Sequence, residues 1–312
     1  MKIGITGASG FIGSAFGKHA AAAGHEVVAF SRSGKVAAPW VAESRRILCG
    51  PPVSDGTGGS QSRPTIDASG CDALVHLAGE SLLGYWTKSK KQRIWGSRVD
   101  LTDLIVASLA EAKPRPRILL CASGAGFYGD RGDELLDESS SRGKGFLSDV
   151  CMAWEAAAKK AERLGLRVVH LRTGMVLGSE GGALTLLKKV FGFGLGGRLG
   201  SGRQWMPWIH IEDQARLMLW CIENANVTGP VNHVAPGAVT NRDFTLALAK
   251  ALKRPAFLHA PAFALRLLMR DMATEMFLSS QRVRPSVALD LGFTFRHPDL
   301  HSALSGILNP ES

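Results

Sequence analysis

No apolar run in this chain approaches the roughly 18 uninterrupted residues that a membrane-spanning helix needs. A membrane span is therefore excluded at this level, and no membrane partner is expected. Cysteine is scarce and scattered. The five residues Cys49, Cys71, Cys121, Cys151 and Cys221 are odd in number and contain no Cys-x-x-Cys pair. That argues against a disulfide framework or a structural zinc site and suits a reducing compartment. Aromatic residues make up only 7% of the chain. A nucleic-acid surface would interleave aromatics with clustered basic residues. The nearest basic clusters, "TKSKKQR" (87–93) and "KPRPR" (113–117), fit solvated helix and loop surfaces instead. The net charge of +10 is then read as a basic surface with affinity for anionic metabolites. After Lys2 the N-terminal stretch is broken by Gly4, Gly7 and Gly10, which is wrong for a signal peptide. A soluble, cytoplasmic protein is expected.

What the chain does contain is ordinary globular material, with 45% apolar and 21% charged residues over 312 positions. Its first half alternates short β-branched runs with helical stretches, the pattern of a parallel sheet with helical crossovers. Strands are predicted at "KIGIT" (2–6), "EVVAFS" (26–31), "RRILC" (45–49), "ALVHLA" (73–78), "RILLCAS" (117–123) and "RVVHLR" (167–172). Helices are predicted from Phe11 to Gly24, as one long element over 88–111, and over about 150–164. Residues 50–70 read as a surface excursion rich in Gly, Ser and Pro. Past Gly174 the texture changes to a short apolar helix, a glycine-rich loop, a strand-then-helix at 209–225, and a helix at 242–253. The fold class expected is α/β, a Rossmann-like doubly wound parallel sheet with a smaller C-terminal cap. The nucleotide domain would comprise 1–173 with 209–232 returning to it, and the cap 174–208 with 233–312.

The first loop, "TGASGFIG", sets Gly7, Gly10 and Gly13 between the first strand and the first helix. This spacing lets the backbone turn tightly and approach a pyrophosphate that the helix N–H groups then face. The flanking strand and helix supply the context that a bare glycine triplet lacks. At the end of the second strand the chain reads "FSRSGK". An NAD site would place a carboxylate about 20 residues past the glycine loop. Here Arg32 stands 32 − 13 = 19 residues beyond Gly13, with Ser31 beside it and no acid nearby. A guanidinium grips a 2′-phosphate in a fork, so NADP is the cofactor expected.

"TGASGFIG", "LAGE" (77–80), "GSR" (96–98), "SGAGFYGDRGDE" (123–134), "LRTGMVLG" (171–178) and "PWIHIEDQA" (207–215) occur in this order. In these motifs the chain closely resembles the extended short-chain dehydrogenase/reductase superfamily, and within it the atypical "epimerase family" branch. The resemblance implies a Rossmann-like domain, a small C-terminal substrate domain and bound NADP. It also implies that Gly7, Gly10 and Gly13, with Phe11 and Ile12 between them, and Ser31 and Arg32 hold the adenosine and phosphate end. Leu77, Ala78 and Gly79 would line adenine and ribose, Arg98 would be a further cofactor contact, and the segment around Val176 would cover the nicotinamide. For the apolar members, strand-end packing explains the residues equally well. Glu80 would sit beside the pocket, either in chemistry or in a plain hydrogen bond.

Active superfamily members use Ser or Thr to polarise the substrate oxygen and a Tyr-x-x-x-Lys pair for the proton. Ser123 is the nearest hydroxyl for the first role. The pair itself reads Cys151 and Glu155. A carboxylate where the ammonium belongs would raise, not lower, the pKa of a neighbouring acid. Cys151 is then either a substitute proton donor or a small packing residue, and the second is favoured. No cation near Glu155 is evident from the sequence. No Gly-x-Ser-x-Gly elbow follows a strand. His76, His170, His210 and His233 lie in or beside apolar strands without metal spacing, so no metal is expected. Trp205 and Trp208 with Arg203 could form a substrate wall or an aromatic hinge. The leading reading is an NADP(H)-dependent oxidoreductase or epimerase-like enzyme acting on an unidentified small molecule. The alternative is a noncatalytic NADP(H)-binding redox sensor or partner-docking protein. A homodimer through the 88–111 and 150–164 helices and a monomer are equally compatible with the sequence.

Overall fold

A computed structural model describes residues 1–54 and 60–308, with side chains for all of these except 48–54 and 60–64. Seven strands form one parallel sheet. They are β1 (Lys2–Thr6), β2 (Glu26–Ser31), β3 (Glu43–Arg46), β4 (Ala73–His76), β5 (Ile118–Gly124), β6 (Arg167–Thr173) and β7 (Gly229–His233). Their spatial order is β7-β6-β5-β4-β1-β2-β3, so the order reverses between β1 and β4. In open α/β sheets, ligands bind in the crevice outside the strand C-termini at such a reversal.

The inner strands are largely apolar on both faces because both are covered. On one side Ile3, Ile5, Val27, Val75, Leu120 and Val169 pack against α1 (Phe11–Ala22) and α6 (Ile211–Glu223). On the other side Val28, Phe30, Leu74, Leu119 and Val168 meet Ile105 and Leu109 of α3 (Val99–Glu111) and Trp154 and Ala158 of α4 (Phe146–Lys159). A separate apolar cluster joins Leu177, Leu184, Trp208, Phe244, Leu248 and Leu304.

Three sequence expectations change. The long helix at 88–111 is two helices, α2 (Lys88–Gly96) and α3, broken at Ser97–Arg98. Arg98 caps α3 without a side-chain bond and sends its guanidinium back to carbonyls instead. The third sheet strand is Glu43–Arg46, not 45–49. As a charged edge strand it needs no apolar run to mark it. From Leu48 the chain enters an antiparallel pair, Leu48–Ser54 with Ser60–Thr65, inside the expected excursion, of which residues 55–59 lie outside the described residues. A further helix spans Ala262–Met269.

Cys71, Cys121, Cys151 and Cys221 are free and buried, while Cys49 lies outside the described side chains. No helix among the described residues is long and apolar enough to cross a membrane.

Candidate active site

The C-terminal ends of β1 and β4 frame the crevice. Gly7 adopts φ +75°, and a Cβ there would lie 2.9 Å from the Ala78 backbone nitrogen. Only glycine permits both the turn and this approach. A Cβ on Gly13 would run into the Gly7 carbonyl. Gly10 differs, since its Cβ would meet only the Gly7 oxygen, at 3.2 Å, and otherwise face open space. Gly10 is also the N-cap of α1, whose first turn has no side-chain cap and no acidic residue. Its free N–H groups and the helix dipole therefore form an anion cradle. Phe11 joins this cradle through its backbone. Its ring is packed where Cβ atoms on Gly178, Gly181 and Gly182 would collide with it. Ile12 packs partly buried against the sheet.

At the end of β2, Ser31 donates to the Lys35 carbonyl at 3.3 Å, and Arg32 extends into solvent. Arg32 has no ion-pair partner among the described residues. Leu77 follows β4 with its N–H on the Thr6 carbonyl. Arg98 lies directly beneath this loop. A Cβ on Gly79 would sit 3.4 Å from its guanidinium carbon, and Nη1 donates to the Glu80 carbonyl at 3.0 Å. Arg98 thus shapes the Leu77-Ala78-Gly79 turn from below. The Glu80 carboxylate is ion-paired, with Lys90 donating to it at 2.8 Å and Arg93 approaching at 3.6 Å. The Lys90 hydrogen bond holds this carboxyl below its usual range. Val176, in the short strand Met175–Leu177, is 8% exposed and packs in the core.

Neighbouring strands β5 and β6 bring Ser123 opposite Arg172. Both side chains meet Glu155 on α4. Ser123 Oγ donates to Glu155 Oε1 at 2.7 Å, and Arg172 donates to both carboxylate oxygens at 2.9 Å. The pair is a bidentate fork, the strong form of a buried ion pair. This corrects two expectations. Glu155 has its cation, Arg172, which sequence distance hid. Ser123, with its single proton given to Glu155, offers lone pairs to the crevice rather than a polarising proton. Arg172 lies in the strand RVVHLRT beside Arg167 and His170, so the sequence alone does not single it out.

Cys151 is 6% exposed, and a Cβ on Gly124 would lie 3.8 Å from its sulfur. Burial first, then the charge of Glu155, pushes its thiol up to about 11. Tyr128 is fully buried, donates to Asn232 Oδ1 at 2.7 Å or the Asp137 carbonyl at 2.9 Å, and receives Arg172 Nη1 at 3.1 Å. Burial raises it to about 12. Both side chains are buried. Trp208 is no substrate wall. It is buried in the third apolar cluster, and its indole donates to the Gly237 carbonyl. Trp205 donates to Asp133, with the Arg282 guanidinium 4.7 Å from the ring centroid.

Within "KPRPR", Arg115 donates to the carbonyls of Leu109, Ala110 and Leu164, which is a structural role rather than a nucleic-acid contact. The tertiary fold also gathers His210, Glu212 and His297, whose potential ligand atoms all lie within 4.8 Å of one another. Each already has protein partners. His210 accepts from the Glu212 N–H, and the Glu212 carboxylate takes Arg296 and His297. The cluster ties the C-terminal region to the start of α6.

A family model described as "NAD dependent epimerase/dehydratase family" matches residues 3–235. The chain belongs to this family. A second model, "Domain of unknown function (DUF1731)", matches residues 260–307. The epimerase family protein ML0860 of Mycobacterium leprae is 36% identical over 97% of this chain and 94% of its own length. YfhF of Bacillus subtilis is 34% identical over 99% and 98%. A crystal structure of human epimerase family protein SDR39U1 (isoform 2) with NADPH superposes with TM-score 0.84 at 33% identity, covering 99% of both chains. UDP-glucose 4-epimerase of Thermus thermophilus, at 15% identity and TM-score 0.72, shares the fold. As a member of the epimerase/dehydratase family, this chain keeps the glycine-loop crevice. Cys151 and Glu155 stand where the resemblance expects a tyrosine–lysine pair, and Glu155 joins Ser123 and Arg172 in a hydrogen-bonded chain.

Proposed function

We propose that this protein binds NADP(H) and uses it as an oxidoreductase or epimerase-like enzyme on a small molecule, with Ser123 and Glu155 handling the proton. Three observations support the cofactor. The Gly10 cradle faces open space at an uncapped helix start, Arg32 stands unpaired where a 2′-phosphate would be met, and a relative at 33% identity was crystallised with NADPH. When bound, the nicotinamide supplies or accepts a hydride. The residues of the chain manage the rest. A substrate hydroxyl donates to Ser123 Oγ, and the serine proton passes to Glu155, 2.7 Å away. For an alcohol, the C–H bond breaks as hydride and the O–H proton ends on Glu155. Reduction of a carbonyl runs the same path backwards. Arg172 is a positioning residue, holding the carboxylate through both oxygens. Residues 1–173 with 209–232 would carry the cofactor, and the remainder would close over the substrate.

The Ser123–Glu155 hydrogen bond carries this reading. Its test is deuterium transfer from C4-labelled NADPH into small molecules of a cell extract, followed by mass spectrometry. Ser123→Ala and Glu155→Gln should each lower transfer by about 10²–10⁴-fold while NADPH affinity is retained. A second reading, a noncatalytic NADP(H) sensor, is favoured by the burial of Cys151 and Tyr128, which leaves no conventional acid at the crevice. Tight NADPH binding without any label transfer by the parent protein would establish it over the first.

A further inference from the structure

Two segments, 181–200 and 244–270, are joined by parallel pairing of Gly197–Leu199 with Leu258–Ala260. They hold nine of the sixteen large hydrophobic side chains exposed among the described residues. Phe193 is 81% exposed, Phe257 77%, Phe263 73% and Leu267 79%. Leu195 and Leu268 add to the patch, and no residue of the helix Ala262–Met269 is buried. Exposed apolar side chains are ordinary when scattered, and a cluster of protruding Phe and Leu marks an interaction surface.

The charge around this cluster identifies its partner. The same segments carry eight lysines and arginines, three in 181–200 and five in 244–270, and no aspartate or glutamate. None of the eight forms an ion pair among the described residues. A second copy of the chain would bring the same unpaired cations face to face, which opposes docking. An anionic surface with an apolar interior satisfies both halves of the pattern. Phe and Leu enter the boundary of the acyl chains while Lys and Arg meet the headgroups.

We infer that this face docks the protein on the surface of an anionic phospholipid bilayer. Such attachment needs no spanning segment. Arg266, on the short helix, and Arg270, its C-cap, flank Leu267 and Leu268, and Lys253 and Arg254 precede Phe257 in the adjoining loop. The apolar and cationic groups are therefore presented together.

The experiment is flotation of the full chain with vesicles of phosphatidylcholine alone or mixed with phosphatidylglycerol. The anionic vesicles should carry at least about tenfold more protein at low salt, with the difference shrinking as salt rises. Phe263→Glu with Leu267→Glu, and separately Arg254→Glu with Arg266→Glu, should each abolish the difference. All four residues are exposed or half-buried on the surface, so retained circular dichroism and NADPH binding serve as controls for folding. Failure of the parent to float with anionic vesicles at low salt would overturn the inference. So would undiminished flotation of the Phe263/Leu267 variant, which would reduce the effect to bare charge. A concentration-dependent dimer in light scattering that the same variant dissolves would assign the face to a second copy instead.

Discussion

Arg172 grips both carboxylate oxygens of Glu155, from one strand end to the helix packed across it, with each N–H···O distance at 2.9 Å. The two side chains are 5% and 12% exposed, so each depends on the other for solvation. Removing one partner strands a buried charge, whereas replacing both with apolar groups does not. Arg172→Met should therefore cost about 3–5 kcal/mol in urea unfolding, and the double variant with Glu155→Met should recover most of that loss. Equal losses in the single and double variants would show that the fork contributes nothing beyond packing.

The fold was legible because its signals are local. β1, β2 and the glycine loop announce themselves by apolar runs and by spacing, and the structure places β1 and β2 at the predicted residues. The glycine cradle was legible for the same reason. The polar centre was not. Glu155 and Arg172 are 17 residues apart and meet only because β6 lies beside β5 under α4. The His210–Glu212–His297 cluster likewise spans a separation that no periodicity encodes. The only mark of the break at Ser97–Arg98 is Gly96 at the end of α2, and a single glycine within a helical pattern is compatible with one continuous helix. Trp208 was ambiguous because a tryptophan beside a predicted crevice looks the same in sequence whether it lines the crevice or fills the core.

Cofactor choice rests on Arg32. The exposed guanidinium at the end of β2 should make NADPH bind in clear preference to NADH, as titration of intrinsic or nicotinamide fluorescence will read. Arg32→Ala should cost about 1.5–3 kcal/mol of NADPH affinity and leave NADH nearly unchanged. Gly10→Val, which fills the open side of the cradle, should abolish binding of both while the protein stays folded. Matching curves for the two cofactors in the parent would remove Arg32 from the site.

Burial lowers the pKa of four histidines, His76, His170, His210 and His233, and the three shifted furthest dominate the response to acid. Burial lowers His76 and His210 to about 4 and His233 to about 3, with the neighbouring His297 adding to the effect on His210. Their folded-state values lie below the unfolded value of 6.5. The stability they contribute is thus fully present above that value and is lost as pH falls towards 4 and 3. At pH 5 the unfolded chain binds roughly one more proton per histidine than the folded chain. Urea midpoints should fall steeply between pH 7 and pH 4.5, and His76→Gln should lessen that slope. A flat profile across this range would mean that the histidines are not buried in the neutral form.

Cys151 decides whether the superfamily's acid position still works. A substitute proton donor would need a route to the substrate and a pKa near neutrality. The thiol is buried beside Gly124 and pushed up to about 11 by burial and by Glu155, which favours a packing role. On that role Cys151→Ala should cost about 1 kcal/mol of stability and change turnover only severalfold. Cys151→Ser should do the same, because its hydroxyl has Ser123 and the Gly124 N–H within the reach that the sulfur already uses. Alkylation of the folded protein at pH 8 should leave this cysteine unmodified while unfolded chain reacts. Rate losses beyond about a hundredfold in both variants, at unchanged NADPH affinity, would restore Cys151 as the acid and displace the Ser123–Glu155 path.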